Sequence, residues 1–366
     1  MLKRRGFMRD AFLANLGLLT GQGWASDALN KGQRIKVAQF GICHEHAQGK
    51  METLRKLPDV FDVVGYVDDR ETSKIRFHSG GLKPYEGLRK LSEDELLNYP
   101  GLQLAMVEVA NSYLLDAAFQ CMRHNLAMHM DKPPCQDLVK YRELLKGCEA
   151  RKLPFQMGYM LRTNPAIRFC IQAVREGLLG DIYEIKADMS HNYGNQAYQE
   201  YLSHFQGGIM YNLGCHLIDV IVSMLGRPEK VTPFLKSTPG AVNNAKDNCA
   251  AVLEYPHTLV TLSANGMQVK QNNPRSLVIC GSKGTVVLAP LESFGSPNKV
   301  LLELKKADGT YQAGSQRIEF PVVRDRYEGQ LRELAGVIRG GITSPYTFAH
   351  DALVLEVTLA ASGVPT

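Results

Sequence analysis

The stretch RIKVAQFGICHEHAQGKMETLRKL, residues 34–57, passes from an apolar run of strand length through a glycine into a helical period. A strand, a turn at Gly41 and a helix starting a few residues later form the opening of a βαβ unit, whose helix presents its N-terminal amides to a phosphate. The turn departs from the glycine-rich pattern of such loops. Gly41 stands where the first glycine belongs, but Cys43 and His44 stand where small residues are expected. Alone, a glycine that ends a strand is as readily a structural turn.

Outward from this unit, FDVVGYVDD, LQLAMVEVA and AMHMD read as further strands, and YLLDAAFQCMRHN and DLVKYRELLKGCEARK as helices between or after them. That alternation predicts a parallel sheet covered on both faces. After about Tyr159 the pattern changes. A helix, PAIRFCIQAVREG, precedes a strand, IYEIKADMS, then GGIMYNLGCHLIDVIVSML at 207–225, and then several strands in a row between Lys230 and Phe320. Consecutive strands predict an open, largely antiparallel sheet. The expected organisation is α/β: a Rossmann domain over 34–155, then an α/β domain over 156–366 whose two closing helices could pack back onto the first.

The second strand places Asp68 at its carboxyl end, 27 residues after Gly41. A carboxylate there accepts ribose hydroxyls and repels a 2′-phosphate, which favours NAD over NADP. Arg70 nearby keeps NADP open, and a solvated Asp-Asp turn is the plain structural alternative.

The remaining bounds are broad. The 366 residues exceed one ordinary domain, and 45% hydrophobic with 22% charged residues describes a globular chain. A net charge of +5 with no basic, aromatic-interleaved run beyond the first ten residues argues against a nucleic-acid partner. Residues 1–28, with Arg4-Arg5-Gly6-Phe7 before an apolar run, read as a twin-arginine-like export signal, which implies a periplasmic or exported protein. If that segment is instead a basic amphipathic helix, the protein is cytoplasmic. No later run reaches the ~18 apolar residues of a membrane span. The eight cysteines show no CxxC spacing and read as buried thiols, kept reduced by folding before export.

Several segments carry a resemblance. Asp131-Lys132-Pro133 is similar to the Glu-Lys-Pro signature of the glucose-fructose oxidoreductase, inositol dehydrogenase and rhizopine-catabolism family, Gfo/Idh/MocA. GYMLRTNP, GDIYEIKA and GGIMYNLGCHLID resemble further segments of that family in the same order, from about Arg34 to the last helix. The resemblance implies a nicotinamide cofactor carrying hydride to or from a substrate held between two domains. It implies that Lys132 is the active-site lysine, that His216 is the catalytic histidine, and that Asn111 lies beside the cofactor. Three features depart from the family: the depleted glycine loop with His44 and His46, Asp131 in place of glutamate, and Asn212 in place of an aspartate four residues before the histidine.

The residue types suit that chemistry. Removing hydride from a carbinol carbon requires removing the hydroxyl proton, and an imidazole does this near its own pKa. His216 fits the role, Asn212 one turn earlier could orient the hydroxyl, and Lys132 could stabilise a developing alkoxide. Asp219 is placed to fix the imidazole tautomer. Arg162, His191 and Tyr193, with Asn164, are candidates to line a sugar or polyol pocket. A metal is not expected, because His44 and His46 on an extended loop would point to opposite sides. No nucleophile elbow supports a hydrolase.

The expected function is an NAD(P)-dependent oxidoreductase acting on a carbohydrate hydroxyl, NAD preferred, in a homo-oligomer. Two alternatives stay open: redox-neutral glycoside hydrolysis by transient oxidation and elimination, and a non-catalytic sugar-binding protein.

Overall fold

The computed structural model describes residues 34–71, 81–269 and 275–365, so the export segment read at 1–28 lies outside the described residues. Strands β1 (Ile35–Phe40), β2 (Phe61–Val67), β3 (Lys90–Leu91), β4 (Leu104–Val107), β5 (Ala127–Met130) and β6 (Phe155–Met157) form one sheet in the order β3-β2-β1-β4-β5-β6. All its neighbours pair in parallel. Helices α1 (Ala47–Arg55), α2 (Glu93–Leu97), α3 (Leu114–Arg123) and α4 (Leu138–Ala150) connect the strands. Strands β4 and β5 are buried along their whole length, which is why they read as near-continuous apolar runs. This is a Rossmann-type sheet. Its order reverses between β1 and β4, which opens a crevice beyond the carboxyl ends of those strands.

The second sheet has eight strands, in the order β14-β13-β12-β11-β7-β10-β9-β8. They are β7 (Ile182–Asp188), β8 (Lys230–Lys236), β9 (Asn248–Glu254), β10 (Leu259–Asn265), β11 (Ser276–Gly281), β12 (Gly284–Leu288), β13 (Lys299–Leu304) and β14 (Gly314–Glu319). Pairing is antiparallel except between β7 and β10. Alternate residues such as Val260, Leu262 and Ala264 face inward, which yields the period of two. Helices α5 (Pro165–Arg175), α6 (Gln196–Ser203) and α7 (Cys215–Leu225) belong to this domain, and α7 packs against α5.

The closing helices join the domains. In α8 (Glu328–Ile338), Leu331, Leu334 and Ala335 share a buried cluster with Ile35, Met51 and Leu54 of the first domain. From α9 (Phe348–Ala361), Glu356 pairs with Arg142 of α4 at 2.5 Å, and Phe348 lies against Phe155 of β6. The cysteines form no disulfide, and six of the eight are buried. Among the described residues no helix is long and apolar enough to cross a membrane.

Candidate active site

Gly41 ends β1 at φ +94, a region L side chains rarely adopt, and a Cβ there would lie 2.5 Å from the Val109 backbone after β4. The turn is therefore real, but its amides are already spent. Asp69 Oδ1 accepts from the backbone N–H of Ile42 at 2.7 Å and of Cys43 at 3.1 Å, and Oδ2 accepts from Ala110 N–H at 3.2 Å. The carboxylate facing the loop is thus Asp69, not the expected Asp68. Successive residues leaving a strand point to opposite sides, and Asp68 instead meets Arg70 at 2.7 Å and Lys90 at 3.3 Å. With both its oxygens so engaged, Asp68 no longer gives a ground for preferring NAD.

His44, Glu45 and His46 follow in a tight turn rather than an extended loop, so the two imidazoles converge instead of diverging. His44 Nδ1 lies 3.0 Å from Asp131 Oδ2, and His46 Nδ1 lies 3.1 Å from the same oxygen. Lys50 of α1, fully buried, donates to Asp131 at 2.6 Å and to Glu108 at 2.8 Å. Burial alone would raise the Asp131 carboxyl, but His44, Lys50 and His46 together hold it well below the usual range. Burial dominates for Glu108 and raises it. Burial likewise lowers His46 to about 4.

Lys132 is buried in the loop after β5. Its Nζ donates to Glu45 Oε1 at 2.9 Å and to the Asn212 carbonyl at 3.0 Å. Burial works against each charge, yet the pairing wins: Glu45 falls to about 2 and Lys132 is raised.

The 207–225 stretch supplies the other wall. Gly207 and Gly208 have positive φ where a Cβ would strike Ser362 and Lys246, and a π-helical turn over Met210–Gly214 then leads into α7. Such turns alter the side-chain register of a helix. Asn212 Nδ2 donates to the Tyr198 hydroxyl at 3.1 Å, while its Oδ1 is buried without a partner. His216 is buried and neither ring nitrogen has a partner. Burial, then the nearby Lys132 ammonium and His46, push its pKa well below the histidine norm. His191 Nε2 is a further buried atom without a partner, with Tyr193 stacked on its ring at 3.5 Å and half exposed. Asn111 sits between the domains, accepting from the Tyr201 hydroxyl at 2.6 Å and lying 3.3 Å from His44 Nε2.

Three expectations are corrected. Arg162 does not face the pocket. Its guanidinium bonds Asp219 at 2.7 Å and Asp351 at 2.6 Å beneath the Tyr346 ring, fully buried. Asp219 accordingly binds Arg162 and His350, not the His216 imidazole, because three residues along α7 turn it toward the closing helix. Asn164 caps α5 through Ala166 N–H and is structural. The residues missed from sequence are Glu45, Lys50, Asp69, Glu108 and Tyr198. A lysine among the apolar positions of α1 was the available signal.

A family model, the GFO/IDH/MocA C-terminal domain, matches residues 167–287. That stretch carries β7, α6, α7 and β8 to β11, so the family match rests on the second domain. The chain is similar to D-apiose dehydrogenase of Paraburkholderia graminis, 24% identical over 62% of this chain and 60% of that protein. Its fold is shared with UDP-N-acetylglucosamine 3-dehydrogenase of Acidithiobacillus ferrooxidans (TM-score 0.72, 15% identity, 91% of this chain and 98% of that one). It is shared also with a 3-ketoreductase of Actinomadura kijaniata solved with NADP and TDP-benzene (TM-score 0.71, 15% identity, 90% and 96%). The chain spans only 55–62% of the length of three curated relatives, D-apiose dehydrogenase among them. The chain is thus similar to oxidoreductases of the Gfo/Idh/MocA type in its second domain and shares their fold throughout.

Proposed function

We propose that this protein is a nicotinamide-dependent oxidoreductase that transfers hydride to or from a hydroxyl-bearing carbon of a sugar or polyol. The observation that carries the reading is the set of buried polar atoms without partners, His216 Nδ1 and Nε2, Asn212 Oδ1 and His191 Nε2, gathered on the side of the crevice that Lys132 reaches. Buried polar groups are nearly always paired, so such a cluster is suited to a polyhydroxylated ligand.

The inner end of the crevice fits a nicotinamide, with Lys132 and Asn111 as the residues to hold it. The pyrophosphate end fits less well, since Asp69 takes the amides of Ile42 and Cys43. A bound nicotinamide supplies the hydride acceptor or donor. The chain's own residues do the rest. His216, kept neutral by its burial, accepts the substrate hydroxyl proton on a ring nitrogen. Lys132 has given two of its three N–H groups to Glu45 and Asn212, and the third stabilises the developing alkoxide. Asn212 Oδ1 and His191 orient neighbouring hydroxyls.

Mass spectrometry of small molecules released on denaturing the purified protein tests this reading. Recovery of NAD(H) or NADP(H) supports it. Protein that neither retains nor binds either nucleotide points to a sugar-binding protein, the reading favoured by the occupied loop amides. Sugar release from a glycoside without net change in nicotinamide points to the redox-neutral reaction.

A further inference from the structure

The rebuilt loop gathers donors in a pattern that suits a cation. One ring nitrogen of His44, one of His46 and a carboxylate oxygen of Asp131 all lie within 4.8 Å of one another. The two Nδ1 atoms stand 3.0 and 3.1 Å from Asp131 Oδ2. Ligands about 2.0–2.1 Å from a tetrahedral zinc ion stand roughly 3.4 Å apart, so small movements suffice to admit one.

An independent observation points the same way. Glu108 Oε2 is fully buried, has no hydrogen-bond partner, and lies 3.8 Å from His44 Nδ1. His44 Nε2 lies 3.2 Å from the Lys132 carbonyl and 3.3 Å from Asn111 Nδ2, and His46 Nε2 lies 3.6 Å from Glu45 Oε1.

We propose that His44, His46 and Asp131, with Glu108 Oε2 as a fourth donor, bind one divalent first-row transition-metal ion such as Zn2+ at the mouth of the β1–α1 loop. The ion shares Asp131 with Lys50, whose ammonium bonds the same carboxylate. With Glu108 ionised as a metal ligand, Glu45, Glu108 and Asp131 against Lys50 and Lys132 leave the cluster one negative charge in excess. A divalent ion reverses that to one positive charge, which an anionic oxygen offsets. In the dinucleotide reading, and resting on it, that oxygen belongs to the pyrophosphate, and the ion replaces the amides lost to Asp69.

The test is Zn2+ titration of chelator-treated full-length protein without nucleotide, read by metal content after gel filtration, with Co2+ substitution read by visible absorption. The expected result is one tightly held equivalent and a Co2+ spectrum characteristic of nitrogen and oxygen ligands, with affinity reduced more than about 100-fold in His46→Gln. His46 is partly exposed, so that variant keeps the fold where Asp131→Asn could lose it. No saturable equivalent, or equal binding by His46→Gln, overturns the proposal. Because nucleotide is absent, failure of the dinucleotide reading leaves this result unaffected. A separate NAD(P) titration with and without Zn2+ tests the pyrophosphate link.

Discussion

The ammonium of Lys132, from the loop after β5, donates to the backbone carbonyl of Asn212 at 3.0 Å, fastening the first domain to the π-helical turn that leads to His216. The same ammonium holds Glu45 at 2.9 Å, so one buried charge ties together the altered loop, the inter-domain crevice and the candidate base.

Replacing that lysine has two separable effects. Lys132→Ala leaves Glu45 beside the histidines without its main partner, and breaking a buried ion pair costs about 3 kcal/mol. Urea denaturation measures that loss. In the proposed reaction Lys132 also stabilises the alkoxide, so turnover is expected to fall by about 100-fold or more with substrate KM changing less. Turnover that survives in the folded variant contradicts the assigned role.

Arg162 is predicted to act on stability and not on ligand binding. Arg162→Ala strands Asp219 and Asp351 in the core, a loss of about 3–5 kcal/mol by urea denaturation. Nicotinamide and sugar affinities of the remaining folded protein stay unchanged. A selective loss of sugar affinity would restore the pocket assignment.

Gly41→Ala is predicted to destabilise by about 2 kcal/mol or more, because it adds a Cβ 2.5 Å from Val109 at a positive φ. The corresponding change at Gly340, whose added Cβ meets nothing within 4 Å, carries only the backbone strain and costs less. Thermal denaturation of the pair separates the close approach from the conformation.

Stability is predicted to fall as pH drops from 6.5 to 5. Burial lowers His129 and His191 to about 3 and His216 well below its norm, so these stay neutral when folded and take up protons when unfolded. Their contribution is complete above pH 6.5 and is lost below it. Burial raises Glu108 and Asp351, which oppose this by holding protons in the folded state. His46, lowered to about 4, acts in the same direction, so four imidazoles oppose two carboxyls and stability declines with falling pH. Urea midpoints across that range check it, and a flat or rising midpoint contradicts it.

The parallel sheet was legible because β1, β4 and β5 are buried on both faces and their residues are correspondingly apolar, and the second sheet because β9 to β13 alternate. Motif order singled out His216, Asn212 and Lys132, and the structure brings Lys132 against the Asn212 carbonyl. What failed depended on orientation at single residues. Whether Asp68 or Asp69 faces the loop turns on where β2 ends, and the convergence of His44 and His46 turns on a tight turn that periodicity does not reveal. Lys50 and Asp131 are 81 residues apart, so only the fold shows that one neutralises the other. Arg162 and Asp219 were misplaced for the same reason: Asp351, the third member of their cluster, comes from the last helix.

The most direct test of the crevice as a hydride-transfer site follows reduced nicotinamide by its absorbance while sugars and polyols are supplied to wild-type protein and to His216→Ala. The account predicts substrate-dependent reduction by the wild type, a fall of about 100-fold to 10,000-fold in the variant, and nucleotide affinity little changed. Equal rates in the two proteins, or no reduction by the wild type with any sugar or polyol at saturating NAD or NADP, would contradict it.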